Sequence, residues 1–273
     1  MREIFLDFKK YYQKAVAEIP SDSFYRESVN HKFKHSILVL YIGEEIMNTT
    51  PELQGKEKFF QKLAETALLF HDVGRFSEAV MRYHTPNITA TAESINQFDH
   101  CLIGYNELKN NLSYNDERIL LSVRCHGQMM DKVKSSELWK ETMAKPTGKE
   151  AEQILYLVRD ADKIANLKMI KEEDHLRKDI FFELLSEEAL NSGISEIVKQ
   201  QFFNKQTILS STVFSFADRI LQVISWIFDL NYRKTKEIFK QNQYAEHLLW
   251  LLAQYHHFPN EIKQIENLVK QNS

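Results

Sequence analysis

The chain has 273 residues, 43% of them hydrophobic, a length that allows one large domain or one domain with an extension. A formal net charge of −3 gives no electrostatic reason to expect binding to nucleic acid or to a membrane surface. The two cysteines lack the spacing of a disulfide framework, and the first residues lack the apolar run of a signal peptide. We therefore expect a soluble, cytoplasmic protein.

The spacing of apolar residues predicts an all-α protein, interrupted by only seven glycines and five prolines. Helices are predicted at 1–17, 30–47, 56–72, 99–109 and 115–125, and a further helix begins at the capping-box pattern Thr147 to Glu150. Residues 82–97 and 128–146 lack a clear period and are predicted to be loops. Gly74 is predicted to end the third helix in the left-handed conformation, and Asn115 to cap the fifth.

The composition changes after about residue 171. Residues 171–174 form a charge run, which predicts a solvated turn, and the rest of the chain is aromatic and helical. Its most hydrophobic stretch, 220–230, falls short of the roughly 20 apolar residues that span a bilayer. We expect a buried core helix there, and the aromatic residues around it are a candidate homodimer surface.

His71 and Asp72 are adjacent side chains that can bind a metal ion, and they lie where an apolar helix pattern ends. Further candidate ligands lie on separate apolar segments: His35, His100, His126 and Asp162. Neutral imidazole together with carboxylate suits Zn, Mn, Fe, Co or Ni. Six candidate ligands are too many for one tetrahedral ion, so two ions are plausible.

Each candidate also has a plainer interpretation. A histidine within an apolar helix, such as His35, is usually a hydrogen-bonded core residue. For Asp72 the plainer role is to cap the end of its helix. A carboxylate at a helix C-terminus is unfavourable, however, because it opposes the helix dipole, and a bound cation would remove that penalty. Cys101 and Cys125 flank two of the histidines, and adjacent helix positions diverge by about 100°. We therefore expect both cysteines to face away from the site as small buried residues.

The order His35, His71-Asp72, His100, His126, Asp162 resembles the HD-domain superfamily of metal-dependent phosphohydrolases over residues 25–170. Three segments carry the resemblance. Residues 68–76 are similar to the central motif of small uncharacterised bacterial members, residues 98–104 to the third-helix motif, and residues 159–163 to the final-aspartate motif. The resemblance implies an HD-domain helical bundle at 1–170, with 171–273 as a helical extension that packs on the same core.

The resemblance also implies roles for these residues. His71 and Asp72 bind metal in this superfamily, the aspartate commonly bridging two ions, and the motif favours Asp162 over Asp160 as the last ligand. His100 and His126 resemble the subgroup with a binuclear metal centre. The implied cofactor is one or two divalent transition-metal ions (Mn, Fe, Co, Ni or Zn), with Mg as a further option.

Cationic and polar residues near these motifs are candidates for contacts to a substrate. Arg75 is the first, because a guanidinium matches phosphate geometry, although a surface salt bridge to Glu78 is the alternative. Lys163 is a second catalytic candidate. The candidate substrate-binding residues are His31, Arg82, His84 and Asn166. The surroundings of Asn166 also resemble the hydrolase domain of guanosine-tetraphosphate enzymes, a single-metal family that His100 and His126 do not fit.

The implied function is a metal-dependent phosphohydrolase, which cleaves a phosphate ester or nucleotide by attack of a metal-bound hydroxide. One alternative is a mixed-valent di-iron oxygenase of the same superfamily, for which Tyr25 and Glu27 precede His35. Another is a non-catalytic, metal-stabilised nucleotide-binding protein. The expected partner is a small phosphorylated molecule or nucleotide, with neither nucleic acid nor membrane.

Overall fold

The computed structural model describes residues 2–85, 98–111, 113–173 and 185–272. These ranges are largely helical and contain no β-strand, which confirms the all-α fold class. The chain clusters into two compact units, residues 1–162 and 163–273. The helices that begin in the first unit are α1 (Arg2–Glu18), α2 (Phe24–Thr49), α3 (Lys58–Phe70), α4 (Gly74–His84), α5 (His100–Lys109), α6 (Glu117–Cys125), α7 (Met130–Ser135), α8 (Glu137–Met143) and α9 (Gly148–Glu173).

An aromatic cluster holds the N-terminal helix against the helices that carry the predicted site. Phe8 of α1 is fully buried, and its ring centroid lies 5.4 Å from that of Phe70 and 5.5 Å from that of Phe76. Burial of one such side chain stabilises a fold by roughly 1.5–3 kcal/mol. Because Phe70 directly precedes His71, this packing also fixes the end of α3.

Two helix starts differ from the predicted ones because of their caps. α2 begins at Phe24, well before the predicted residue 30, since Ser23 caps it by accepting a hydrogen bond from the Tyr25 amide. α6 is capped by Asp116, whose carboxylate accepts from the Arg118 amide, so the prediction of Asn115 as the cap was wrong.

The prediction that Gly74 ends a helix in the left-handed conformation was wrong. Gly74 is the first residue of α4, and the glycines with positive φ are Gly55 and Gly193. A Cβ on Gly74 would collide with the carbonyl oxygen of His100, where α4 crosses the start of α5. Close approach of two backbones is therefore the reason for glycine at this position.

The predicted loop at 128–146 contains two short helices, α7 and α8. Their apolar residues pack on a buried cluster made of Leu121, Cys125, Val133, Ala151 and Leu155. Helices of one or two turns give almost no periodic pattern, and burial of these side chains overrides the local polarity. Residues 82–84 are also helical, and 86–97 lie outside the described residues.

The second unit is built from helices α10 (Glu187–Asn191), α11 (Glu196–Phe203), α12 (Phe216–Ile224), α13 (Arg233–Gln241), α14 (Tyr244–Tyr255) and α15 (Pro259–Asn272). The predicted core helix at 220–230 is buried over much of its length, but its α-helical part ends at Ile224 and a 3-10 turn follows at Ser225–Asp229. Residues 171–173 are exposed, as predicted, but they belong to helix α9 rather than to a turn. No helix in the described ranges is both long enough and apolar enough to cross a membrane.

Candidate metal centre

Five helices bring the six predicted ligands to one place in the first unit. His71 and His126 each follow the last residue of a helix, α3 and α6 respectively, and Asp72 comes directly after His71. The other three are His35 within α2, His100 at the first position of α5 and Asp162 within α9. Helix ends contribute four of the six, because a residue at an end can turn its side chain inward without being enclosed by a further turn.

His35, His71 and Asp162 lie on one side of the site. His35 Nε2 is 2.9 Å from Asp162 Oδ1, and His71 Nε2 is 3.7 Å from the same oxygen. His71 Nε2 is also 3.6 Å from Oδ2 of Asp72. The donor atoms of His35, His71 and Asp72 all lie within 4.8 Å of one another, which is close enough to share one ion.

His100 and His126 lie near the other oxygen of Asp72, and the donor atoms of His126 also lie within 4.8 Å of those of His71 and Asp162. The Nε2 atoms of His100 and His126 are 3.3 Å and 3.4 Å from Asp72 Oδ1. The two oxygens of this carboxylate therefore face different partners, since Oδ2 faces His71 and Oδ1 faces His100 and His126. Asp72 is buried, so its carboxylate is shielded from bulk water.

Backbone carbonyls orient two of the imidazole rings. Nδ1 of His71 lies 2.8 Å from the Leu68 carbonyl oxygen, and Nδ1 of His126 lies 3.0 Å from that of Val123. Donation of the Nδ1 proton to the carbonyl leaves each Nε2 as a lone-pair donor aimed into the site.

The residues present fit a divalent metal ion. Nε2 of His71 is fully buried and has no hydrogen-bond partner among the described residues. An unpartnered polar atom at such a position is costly unless a ligand satisfies it. Imidazole nitrogens and carboxylate oxygens at these separations are the donors that divalent transition metals prefer.

Burial and neighbouring charges shift the pKa values of the site residues. Burial lowers the pKa of His71 to about 4, so this imidazole is neutral near pH 7, as a metal ligand must be. Burial alone would raise the pKa of Asp72, but the positive charge of Lys32 and hydrogen bonds from His100 and His126 hold that pKa well below its usual value. An ionised carboxylate is thus held inside the protein, where it attracts cations.

Two cationic side chains flank Asp72. Lys32 Nζ lies 3.0 Å from Oδ2, and Arg75 Nε lies 3.7 Å from Oδ1. Arg75 also makes the salt bridge to Glu78 considered as its alternative role, with 2.8 Å between Nη1 and Oε2. Lys32 was not among the predicted site residues, although it lies one helical turn before His35 and therefore on the same face of α2.

Cys101 lies beside the histidines, contrary to our expectation that it would face away. Its Sγ is 3.3 Å from Nε2 of His100 and 3.9 Å from Nδ1 of His126. Adjacent helix positions diverge by about 100°, but both side chains of this first turn of α5 still contact His126 at the end of α6. Cys125 is buried in the apolar cluster, as expected.

Arg159 holds the backbone around His126. Its Nη1 donates to the carbonyl oxygens of Cys125, His126 and Gln128, at distances of 2.6–3.2 Å. The three carbonyls belong to the last residue of α6 and to the turn that follows it, so Arg159 ties this turn to α9. The neighbouring Asp160 is also fully buried.

The remaining predicted catalytic and substrate-binding residues have neighbours other than the six candidate metal ligands. Their proposed roles remain predictions. Lys163 Nζ is 3.0 Å from Oδ2 of Asp229, in the second unit, where Asn166 is half-buried. The Arg82 guanidinium lies 4.3 Å from the centroid of the Phe98 ring, and its Nε donates to Glu78. His84 is exposed beside Tyr83, and His31 is half-buried on α2.

Comparison with known proteins agrees with this site. The HD domain family matches residues 33–167, a range that contains all six candidate ligands. No curated protein and no solved structure gives a significant match. Residues 33–167 therefore form an HD domain, and the chain belongs to the HD-domain superfamily, whose members are generally metal-dependent phosphohydrolases.

Proposed function

We propose that this protein is a phosphohydrolase with two metal ions in its active site, and that it cleaves a small phosphate ester or a nucleotide. The observation that carries the proposal is that the two carboxylate oxygens of Asp72 face different histidines: Oδ2 faces His71, and Oδ1 faces His100 and His126. A carboxylate with donors on both sides is arranged to bridge two ions, whereas a single ion would leave one group of histidines without a role.

The donors divide into two overlapping sets. The first ion would be held by His35, His71, Asp72 and Asp162, and the second by Asp72, His100 and His126. Two divalent ions at such a centre supply Lewis acidity, which acidifies water and neutralises charge on a phosphoryl group.

The protein's own cations complete the site for a phosphate. Arg75 and Lys32 flank Asp72 and keep about a third and a quarter of their side-chain surfaces exposed, so both can meet a ligand that enters from solvent. Arg75 would hold two phosphoryl oxygens through its fork of N–H groups, and Lys32 would contribute a point charge. Charge on the phosphoryl oxygens increases during transfer, and fixed cations stabilise it.

The proposal is tested by metal content and turnover in the same preparations. Wild-type protein should bind about two divalent transition-metal ions per chain and hydrolyse members of a panel of phosphate esters and nucleotides. His126→Ala should retain about one ion and lose turnover, and so should Asp162→Asn. His257→Ala is a matched control, because His257 is exposed on the second unit, and it should behave as wild type.

Other outcomes would direct the assignment elsewhere. A single ion in the wild type that is unchanged in His126→Ala would contradict the binuclear site. Two iron ions with oxygen consumption on an organic substrate would favour the di-iron oxygenase. Tight nucleotide binding without turnover under any metal would favour the non-catalytic alternative.

A further inference from the structure

The second group of donors contains a sulfur atom beside its nitrogen and oxygen atoms. Cys101 Sγ lies 3.3 Å from Nε2 of His100, and the donor atoms of His100, Cys101 and His126 all lie within 4.8 Å of one another. Cys101 is only 4% exposed, so its thiol is shielded from solvent.

Three of the separations among these donors match those of ligands on one tetrahedral ion. Zinc bonds of about 2.3 Å to sulfur and about 2.0–2.1 Å to nitrogen place neighbouring ligands roughly 3.3–3.6 Å apart. The distances from Asp72 Oδ1 to the Nε2 atoms of His100 and His126 are 3.3 Å and 3.4 Å, and that from Cys101 Sγ to His100 is 3.3 Å. One carboxylate oxygen, two nitrogens and one sulfur would complete four-coordination.

The other cysteine shows what a purely structural thiol looks like in this fold. Cys125 packs among the aliphatic side chains of Leu121, Val133 and Leu155. Cys101 instead has two imidazole rings as neighbours, and the buried carboxylate of Asp72 lies within 3.4 Å of both. A small apolar residue would fill the same space, so packing alone gives no reason for sulfur beside these donors.

We propose that Cys101 is a ligand of the second ion, an inference that rests on the proposed binuclear function. The thiol would bind as a thiolate and release its proton to solvent when the ion enters. The two positions then differ in chemistry, because the first has only nitrogen and oxygen donors while the second also has sulfur. Soft donors select Zn, Co or Fe over Mn and Mg, so the second position is the more selective one.

Cobalt absorption tests this proposal without reference to activity. Co²⁺ is titrated anaerobically into chelator-treated protein, and a thiolate bound directly to Co²⁺ gives a near-ultraviolet charge-transfer band. We expect the band in wild type and in Cys125→Ser, rising with one of two equivalents of Co²⁺. Cys101→Ser should lack the band, keep about one equivalent of tight binding, and bind Zn²⁺ at the second position at least about tenfold more weakly.

The spectra separate this proposal from the proposed function. Two bound Co²⁺ ions without a charge-transfer band would overturn the sulfur ligand and leave the binuclear site standing. One bound ion with the band would support the sulfur ligand and contradict the binuclear site. The test does not depend on the folding of Cys101→Ser, because the chain has two cysteines and a band that persists in Cys125→Ser belongs to Cys101.

Discussion

The ammonium of Lys32 lies 3.0 Å from Oδ2 of Asp72, so the protein itself supplies a cationic partner for the central carboxylate of the site. Lys32 comes from α2 and Asp72 from the end of α3, and the pair is largely removed from water. An ion that binds Asp72 must compete with this ammonium, and a phosphate that approaches the site would meet it.

Replacement of Lys32 by methionine separates these two effects. Co²⁺ should bind the chelator-treated variant more tightly, because no ammonium competes for Asp72. Inorganic phosphate should bind the metal-loaded variant about tenfold more weakly, the equivalent of one hydrogen bond to a charged group. Calorimetric titration measures both. Lys34→Met is the matched control, since Lys34 is exposed on the same helix; an equal effect in both variants would point to general electrostatics.

Asp72 and Asp162 should differ in the number of ions that each one controls. Asp72→Asn removes charge from both sets of donors, whereas Asp162→Asn affects only the donors near His35 and His71. Metal analysis should therefore give close to zero ions for Asp72→Asn and about one for Asp162→Asn. Equal ion counts in the two variants would show that Asp72 does not bridge.

Gly74→Ala should destabilise the protein strongly. The added Cβ would meet the backbone carbonyl of His100, which cannot move aside as a flexible side chain would. Overpacking of this kind typically costs about 1–3 kcal/mol, and it should also shift His100 and weaken metal binding. Gly127→Ala is the control, because its nearest neighbour would be the Cys101 sulfur at an ordinary 3.8 Å. Urea unfolding of the two variants gives the comparison.

Arg159→Met should weaken binding of the second ion without the loss of any ligand. The three carbonyls that Arg159 holds belong to the backbone on either side of His126, and they would lose a buried, charged donor. Loss of such a partner costs roughly 3 kcal/mol or more. Arg124→Met provides the contrast, since Arg124 pairs with Asp99 near the surface, where an ion pair contributes about 1 kcal/mol or less. The readouts are the unfolding free energy and the number of bound Co²⁺ ions.

His256 should make the stability of the protein depend on pH. Its Nδ1 accepts a hydrogen bond from the Ile194 amide and its Nε2 lies 2.8 Å from Glu261, so the neutral ring is the form that fits. Burial lowers the pKa of His256, although Glu261 opposes the shift. The pKa of His256 in the folded state is therefore below its unfolded value of about 6.5. The stabilisation that the neutral ring provides is fully present above that pH and is lost as pH falls through the folded pKa.

The matching measurement compares wild type with His256→Gln in urea at several pH values. The variant should be less stable at neutral pH, and the difference should narrow as the solution is acidified below about pH 6.5. His257→Gln should show no such change, because His257 is exposed. A difference that stays constant with pH would mean that His256 does not titrate in this range.

The fold class and the clustering of the six candidate metal ligands could be predicted from the sequence. The features that it did not predict depend on how the helices cross. Helical periodicity is local, and motif spacing placed His71 and Asp72 at a helix end. Cys101 approaches the site through the packing of α5 against α4 and α6, and Lys32 through the packing of α2 against α3. Gly74 had an adequate local explanation as a helix terminator, and the collision with His100 that explains it involves a residue 26 positions away.

The hydrogen bonds from Nδ1 of His71 and His126 to carbonyls three residues earlier have a thermodynamic consequence. Two donors are already aimed before an ion arrives, so the entropy of ordering these rings is lost during folding rather than during binding. Metal binding should therefore be separable from folding, unlike that of domains that unfold without their ion. A chelator should strip the ions and leave the helices intact, which would let the protein exchange one metal for another according to supply.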